Sequence, residues 1–352
     1  MTMNKLSYRA CLLAGAIGDA LGAAVEFKSD AEIDRLFGAE GVREYRPAYG
    51  RLGAITDDTQ MLLFTAEGLI RGHVRGGHRG FADRTGVVAN AYLRWLSTQG
   101  HQNPAQVGQP GWLIGHEDLH HQRAPGNTCL TALKQMTKLG EKAQNQSKGC
   151  GTVMRIAPVG LYMARLITQS PSSAYEMGKE LSWLTHAHPS GYIAGGALAA
   201  IIWGLARGKT MNRSIDEALE LVESDSDSAE CSKAIIRARA LVTTHIPPKE
   251  AVKQLGEGWV AEEALAISIY AALKMPNIMD AISLAVSHGG DSDSTGSITG
   301  NLVGLLHGAA GFPNHLLVDL ELREVITQVA EDLYDFPEKI NHPHFFERYP
   351  GN

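Results

Sequence analysis

Residues 6–27 read LSYRACLLAGAIGDALGAAVEF. Apolar side chains recur at helical spacing through this stretch, and Gly15, Gly18 and Gly22 fall on one side of it. Glycine weakens a helix, so a repeated glycine face implies close packing or a ligand against that side. The same periodicity continues outward. It predicts helices over residues 57–70, 81–96, 128–139, 153–166, 174–184, 191–205 and 215–222. Further helices are expected over 232–242, 262–273, 278–286 and 294–306, with 317–333 as the last long one. No segment alternates as a half-buried strand would.

Between the helices, residues 43–55 read as largely non-helical and 144–151 as a polar, glycine-containing loop. Residues 224–228 form an acidic serine turn. The basic stretch 71–79, RGHVRGGHR, reads as a solvated loop between helices that could also hold an anion. No composition shift or internal repeat divides the chain. The expectation is one all-α domain over 1–352, an orthogonal multi-helix bundle with its motifs in residues 6–335 and an irregular C-terminal tail.

The 352 residues, 44% of them hydrophobic, suffice for a sizeable core. A formal net charge of -6 disfavours general nucleic-acid binding and a polybasic membrane anchor. The 4 cysteines, Cys11, Cys129, Cys150 and Cys231, form no C-x-x-C and read as reduced thiols. Lys5 and Arg9 before the apolar run of 11–25 imitate a signal peptide, but Asp19 interrupts that run and Glu26 closes it. No stretch reads as a membrane span. A cytoplasmic protein is the expectation.

Two acidic clusters lie far apart: Thr56-Asp57-Asp58-Thr59 and Asp291-Ser292-Asp293-Ser294-Thr295. Each precedes or opens a helix, so capping and complementing the helix dipole would explain either one alone. Adjacent carboxylates repel, however, and such density is costly unless it is solvated or bound to a cation. Together Asp57, Asp58, Asp291 and Asp293, with the hydroxyls of Thr56 and Ser294, make a hard oxygen donor set that favours Mg²⁺ or Mn²⁺ over zinc. Asp291 or Asp293 could bridge two such ions.

Other motifs compete. Asp291-x-Asp293-x-Thr295 matches the D-x-D-x-T of haloacid-dehalogenase phosphatases. That motif follows a buried strand early in an α/β domain, whereas here glycines precede it and little chain follows. As an EF-hand loop the run fails at its twelfth position, Leu302, where a bidentate Glu is required. His116-Glu117-Asp118-Leu119-His120 is a formal H-E-x-x-H, with Glu141 as the obvious third ligand of a zinc. Gly111, Gly115 and Pro125-Gly126 leave little room for the helix it needs.

The sequence resembles the ADP-ribosylglycohydrolase family. The resemblance rests on Gly15-Ala16-Ile17-Gly18-Asp19-Ala20-Leu21-Gly22 with Glu26, then Thr56-Asp57-Asp58-Thr59, then Gly289-Gly290-Asp291-Ser292-Asp293-Ser294. Gly126-Asn127-Thr128-Cys129, the run from Gly149 to Arg155 and Thr185-His186-Ala187-His188-Pro189 support it in family order. It implies an all-α bundle with a dinuclear Mg²⁺ or Mn²⁺ cleft that hydrolyses the bond from ADP-ribose to an acceptor side chain. By the resemblance, Thr56, Asp57, Asp58, Asp291, Asp293 and Ser294 are the metal ligands, and Glu26, Asp58 and Asp293 carry the chemistry. Substrate contacts are expected at Gly149, Gly151, Thr152, His186, Gly289 and Gly290. Asp19 either touches substrate or orients a loop.

The run Asp291–Gly296 resembles the arginine-specific branch more than the serine-specific one. Some relatives have Asn where Cys150 stands, many have Thr at Ser294, and some bacterial ones have an Asp where Ala124-Pro125 stand. The expected activity is release of ADP-ribose from protein arginine, with serine-linked ADP-ribose, O-acetyl-ADP-ribose or silent ADP-ribose binding as alternatives. The expected partner is an ADP-ribosylated protein. A cognate ADP-ribosyltransferase, or a toxin against which the chain confers immunity, would be a further partner.

Overall fold

Asn4 opens the first helix: its side chain accepts from Ser7 N at 3.2 Å. That helix, α1 (Lys5–Gly22), is buried along almost its whole length in this computed structural model, which describes residues 4–308 and 311–351. The chain continues through α2 (Asp30–Phe37), α3 (Asp57–Arg79), α4 (Arg84–Thr98), α5 (Asn127–Gln135), α6 (Ala157–Arg165), α7 (Pro171–Ser182) and α8 (Pro189–Ala206). Then come α9 (Met211–Ser224), α10 (Ala229–Val242), α11 (Pro248–Leu255), α12 (Ala261–Lys274), α13 (Ile278–Val286) and α14 (Ser292–His307). The last three are α15 (Asn314–Asp319), α16 (Arg323–Lys339) and α17 (Pro343–Arg348). No β-strand occurs among the described residues, so the all-α expectation holds.

The glycine face of α1 has a clear cause. A Cβ at Gly18 would stand 2.0 Å from Gly296 O, and one at Gly22 would stand 2.3 Å from Ser292 O. From the other side, Cβ atoms at Gly300 and Gly304 would meet Ala14 O and Ala10 O at 2.1 and 2.3 Å. Backbone therefore lies on backbone along an antiparallel α1–α14 seam. This sets the C-terminal end of α1, with Asp19 and Glu26, beside the start of α14, with Asp291 and Asp293. On its other flank α1 is held by α16 through the Arg9–Glu331 and Lys5–Asp335 ion pairs and the Tyr8–Tyr334 ring contact.

Several expectations need correction. The basic stretch 71–79 is not a loop but the end of α3. Its sequence is a poor helix former, and tertiary contacts hold it: His73 packs edge-on against Tyr162 and Phe336, and Gly77 fits against Ile340. The single helix expected over 317–333 is broken between α15 and α16, where Leu322 takes a left-handed φ of 54°. The break turns Glu321 inward, where it accepts from Ile55 N at 2.9 Å and pairs with Arg123 and Arg51. The tail is not irregular, since α16 runs to Lys339 and α17 follows. The sequence reading passed over α2 and α11, although Ser29-x-x-Glu32 is a full capping box and Pro248 sits at a helix start. Finally, α8 is long and apolar enough to cross a membrane, contrary to expectation, but it is enclosed by the bundle and apolar on every face for that reason.

Candidate metal centre

Asp19 organises the first cluster. Thr56 N and Oγ1 donate to its Oδ1 at 3.0 and 2.8 Å, and Thr59 N donates to its Oδ2 at 3.1 Å. It thus ties α1 to the first turn of α3. Thr56 also caps α3, accepting from Asp58 N at 3.3 Å. Thr56 is the capping side chain, and Asp57 and Asp58 line a pocket beside it. Asp57 Oδ2 accepts from Gly126 N at 3.1 Å, and Asp57 N donates to Arg123 O at 3.1 Å.

The second cluster arrives from the opposite side. Asp291 is the N-terminal flanking residue of α14, but its side chain makes no cap bond. Its Oδ2 instead accepts from Cys150 Sγ at 2.6 Å. Asp293 Oδ1 accepts from Ser294 N at 2.9 Å, and its carboxyl also lies within hydrogen-bond reach of Asp291, Glu26 and Thr56. The clusters, 232 positions apart in chain order between Thr59 and Asp291, therefore meet. Glu26, Asp57, Asp58, Asp291, Asp293 and Ser294 line one pocket of about 200 Å³.

This gathering of buried carboxyls is electrostatically expensive. Burial first, and then the charge of Asp293, push the carboxyls of Asp57, Asp58 and Asp291 well above the usual range. Glu26 rises to about 10 through burial and the charges of Asp293, Asp291 and Asp57. Asp19 rises to about 7 against the pull of its hydrogen bonds from Thr59 and Thr56. Among the described residues no three Asp, Glu, His or Cys side chains close on a single coordination point. The donor set nonetheless fits a hard cation. Asp58 Oδ1 and Glu26 Oε2 are buried on the pocket wall with no hydrogen-bond partner, and a buried unpaired carboxylate oxygen is rare without a compensating charge.

The remaining predicted contacts divide. Gly149, Gly151 and His186 line the pocket. Thr152 is fully buried and does not line it. Gly289 and Gly290 also lie off the wall and are conformational residues: Gly289 N donates to Asp30 Oδ1 at 2.6 Å, and a Cβ at Gly290 would meet Glu257 O at 2.1 Å. The backbone of residues 149–151 is only partly available to a ligand, because Gly149 N donates to Ser147 Oγ and Cys150 N to Trp259 O.

His186 is driven down to about 3 by burial and by Arg155, so its ring is neutral. Thr185 Oγ1 receives Arg155 Nη2 at 2.6 Å and meets His186 Nδ1 at 2.8 Å. The chain Arg155–Thr185–His186 fixes the orientation of the ring. The H-E-x-x-H run is no zinc site: it holds a single 3₁₀ turn, His120 Nε2 bonds Ile114 O, and Glu141 caps Thr137 and Lys138. Sequence reasoning missed the link from Cys150 to Asp291 and the place of Trp259 on the pocket wall. The flanking Gly256 and Gly258, both at positive φ, were the available signal for a fixed turn there.

A bundle of helices closed around an acidic pocket of hard oxygen donors defines the class: an all-α protein with a buried, carboxyl-lined site suited to hard divalent cations. The chain belongs to the ADP-ribosylglycohydrolase family, whose sequence profile matches residues 3–341. It is 25% identical over 326 residues to ADP-ribosyl-[dinitrogen reductase] glycohydrolase of Rhodospirillum rubrum, covering 89% of this chain and 91% of that one. It is 24% identical over 332 residues to ADP-ribosylarginine hydrolase Tri1 of Serratia proteamaculans, covering 93% and 78%. A solved structure titled ADP-ribosylglycohydrolase-related protein complex shares the fold, with a TM-score of 0.70, 22% identity and coverage of 96% and 99%. At the family level the chain is a hydrolase of the glycosidic bond of ADP-ribose.

Proposed function

We propose that this chain removes ADP-ribose from arginine side chains of ADP-ribosylated proteins and depends on divalent cations to do so. One observation carries the reading. Two acidic clusters meet in one pocket and leave Asp58 Oδ1 and Glu26 Oε2 buried without a partner. Thr56, Asp57, Asp58, Asp291, Asp293 and Ser294 would hold two Mg²⁺ or Mn²⁺ ions. Such ions, when bound, supply positive charge that offsets the carboxylates, grips ribose hydroxyls and lowers the pKa of water.

The protein's own residues do the rest. Asp19 fixes Thr56 and Thr59, and Gly126 N fixes Asp57, so the first cluster is pre-set before substrate arrives. Cys150 Sγ donates to Asp291 and holds that carboxyl turned to the pocket. Glu26, at the wall with one free oxygen, serves as proton acceptor for the attacking water once bound cations offset the neighbouring carboxylates that hold its pKa up. The bond that breaks joins the anomeric carbon to a guanidinium nitrogen. Positive charge develops on the ribose ring as it breaks, which the surrounding carboxylates stabilise. His186 lines the same pocket as a neutral ring.

Support for an arginine acceptor comes from the run Asp291–Gly296 and from the named hydrolase at 24% identity. The pocket wall also carries no Lys or Arg, which suits a cationic acceptor. Release of ADP-ribose from arginine-linked and serine-linked peptides, with Mg²⁺ or Mn²⁺ added, tests the reading. The arginine-linked peptide should be cleaved and the serine-linked one spared. Asp57→Ala and Asp293→Ala should each abolish release while the protein stays folded, and Glu26→Gln should lower kcat by roughly 10²-fold or more. Full activity of both Asp variants, or cleavage confined to the serine-linked peptide, would contradict it.

A further inference from the structure

The basic end of α3 takes no part in the metal centre. Arg71, Arg75 and Arg79 recur at i, i+4 and i+8, one above the other on one face of the helix. All three line a cavity of about 410 Å³ that shares no residue with the acidic pocket. Asp57 and Asp58 open the same helix, so Arg75 lies roughly 27 Å along it from Asp57.

An arginine in the last turn of a helix complements its dipole, and that accounts for Arg79 alone. Arg71 sits two turns deeper, with a side chain only 3% exposed, and donates from Nη2 to Gln109 O at 3.0 Å. Its acidic neighbour Glu67 is shared with Arg94: Oε2 pairs with Arg94 Nη2 at 2.7 Å, and Oε1 lies 3.8 Å from Arg71 Nη1. Arg75 donates from Nη1 to the backbone oxygen of Gly351 at 3.2 Å. Among the described residues no carboxylate pairs with Arg75 or Arg79. Asp83 also lines the cavity, but its Oδ1 accepts from Gly86 N at 3.1 Å as the cap of α4. The wall thus carries three guanidinium groups and one carboxylate. The rest of it is apolar: Val87, Val107 and Leu139 line it, and Phe81 does so while 76% exposed.

We propose that this cavity binds a small phosphate monoester, with the phosphate on Arg75 and Arg79 and an apolar body against Val87, Val107, Leu139 and Phe81. A carboxylate carries one charge and is satisfied by a single bidentate arginine. Two arginines one turn apart and facing one cavity suit a dianion with three acceptor oxygens, which a phosphate monoester supplies. Inorganic phosphate would leave the apolar wall in water, and an uncharged apolar molecule would forgo the arginines.

Calorimetry on the full chain tests this, with phenyl phosphate, inorganic phosphate, benzoate and phenol as probes. EDTA is present throughout, so that no cation in the acidic pocket draws the anion. Phenyl phosphate should bind at one site and more tightly than the other three. Arg75→Ala and Arg79→Ala should each weaken it by about 10-fold or more. Phe81→Ala should weaken phenyl phosphate by roughly 3-fold and leave inorganic phosphate unchanged. Asp293→Ala should change neither. Arg79 and Phe81 are exposed, so their truncation leaves the fold intact, and Arg79→Ala decides the matter if Arg75→Ala does not fold. Equal affinity for phenol, benzoate or inorganic phosphate would overturn the proposal. So would an affinity for phenyl phosphate that Arg79→Ala leaves unmoved, or no binding of phenyl phosphate at all.

Discussion

Asp58 is the residue at which the cost of this site is plainest. It is 2% exposed, its Oδ1 has no partner, and four other carboxyls act on it. Because its carboxyl is raised in the folded protein, the folded state holds protons that the unfolded chain has already lost. Stability of the cation-free protein therefore falls as pH rises above about 4, the ordinary carboxylate value. The fall continues through about 7 and about 10, the raised values of Asp19 and Glu26. Asp58→Asn removes one charge from the cluster. Thermal unfolding in EDTA at pH 8 should show this variant melting about 2 °C or more above the unaltered protein, with the gap closing at pH 4. Added Mg²⁺ should stabilise the unaltered protein and do much less for the variant. A variant that melts lower at pH 8 would show that Asp58 is satisfied by the fold alone. At this scale the sequence was informative about identity and poor about partners. Thr56, Asp57, Asp58, Asp291, Asp293 and Ser294 could be picked out by donor chemistry. Nothing local disclosed that Cys150 would donate to Asp291, because that contact joins residues 141 positions apart.

At the scale of elements, the α1–α14 seam places the site. Its glycines were visible in residues 6–27, and the choice between close packing and a ligand was not, because the partner helix is distant in sequence. The structure assigns them to packing. Gly18→Ala would drive a methyl group to 2.0 Å from Gly296 O. Backbone cannot yield as a side chain would, so the substitution should cost about 3 kcal/mol or more in chemical denaturation. It should also reduce turnover by moving Asp19 and Asp293 apart. Gly115→Ala, with nothing within 4 Å of the added Cβ, is the control and should stay within about 0.5 kcal/mol. Element existence was read well where apolar spacing was strong, as in α8, α12 and α13. It failed where tertiary contact overrides propensity, as at the basic end of α3. It failed also where a buried polar group breaks a periodic run, as Glu321 does between α15 and α16.

Over the whole molecule, the C-terminal segment reaches back to brace the first acidic cluster. Glu321 is fully buried, pairs with Arg123 and Arg51, and accepts from Ile55 N beside Thr56. Arg123 O in turn accepts from Asp57 N. Glu321→Ala leaves Arg123 buried without its counter-charge and should lose about 3 kcal/mol or more of stability. Activity should fall with it, although Glu321 touches no part of the pocket. A loss of stability at unchanged turnover in the surviving folded fraction would limit the bridge to a structural part. This brace was not legible in the sequence, since 317–333 carries unbroken helical spacing and only the fold shows why it must bend.

The central claim is that both acidic clusters hold the same pair of divalent cations. Anomalous diffraction at the manganese edge, from crystals grown with Mn²⁺, tests it directly. The account predicts two peaks inside the pocket, contacted by Thr56, Asp57 and Asp58 of one cluster and by Asp291, Asp293 and Ser294 of the other. No peak in the pocket, or manganese held by one cluster alone, would contradict it.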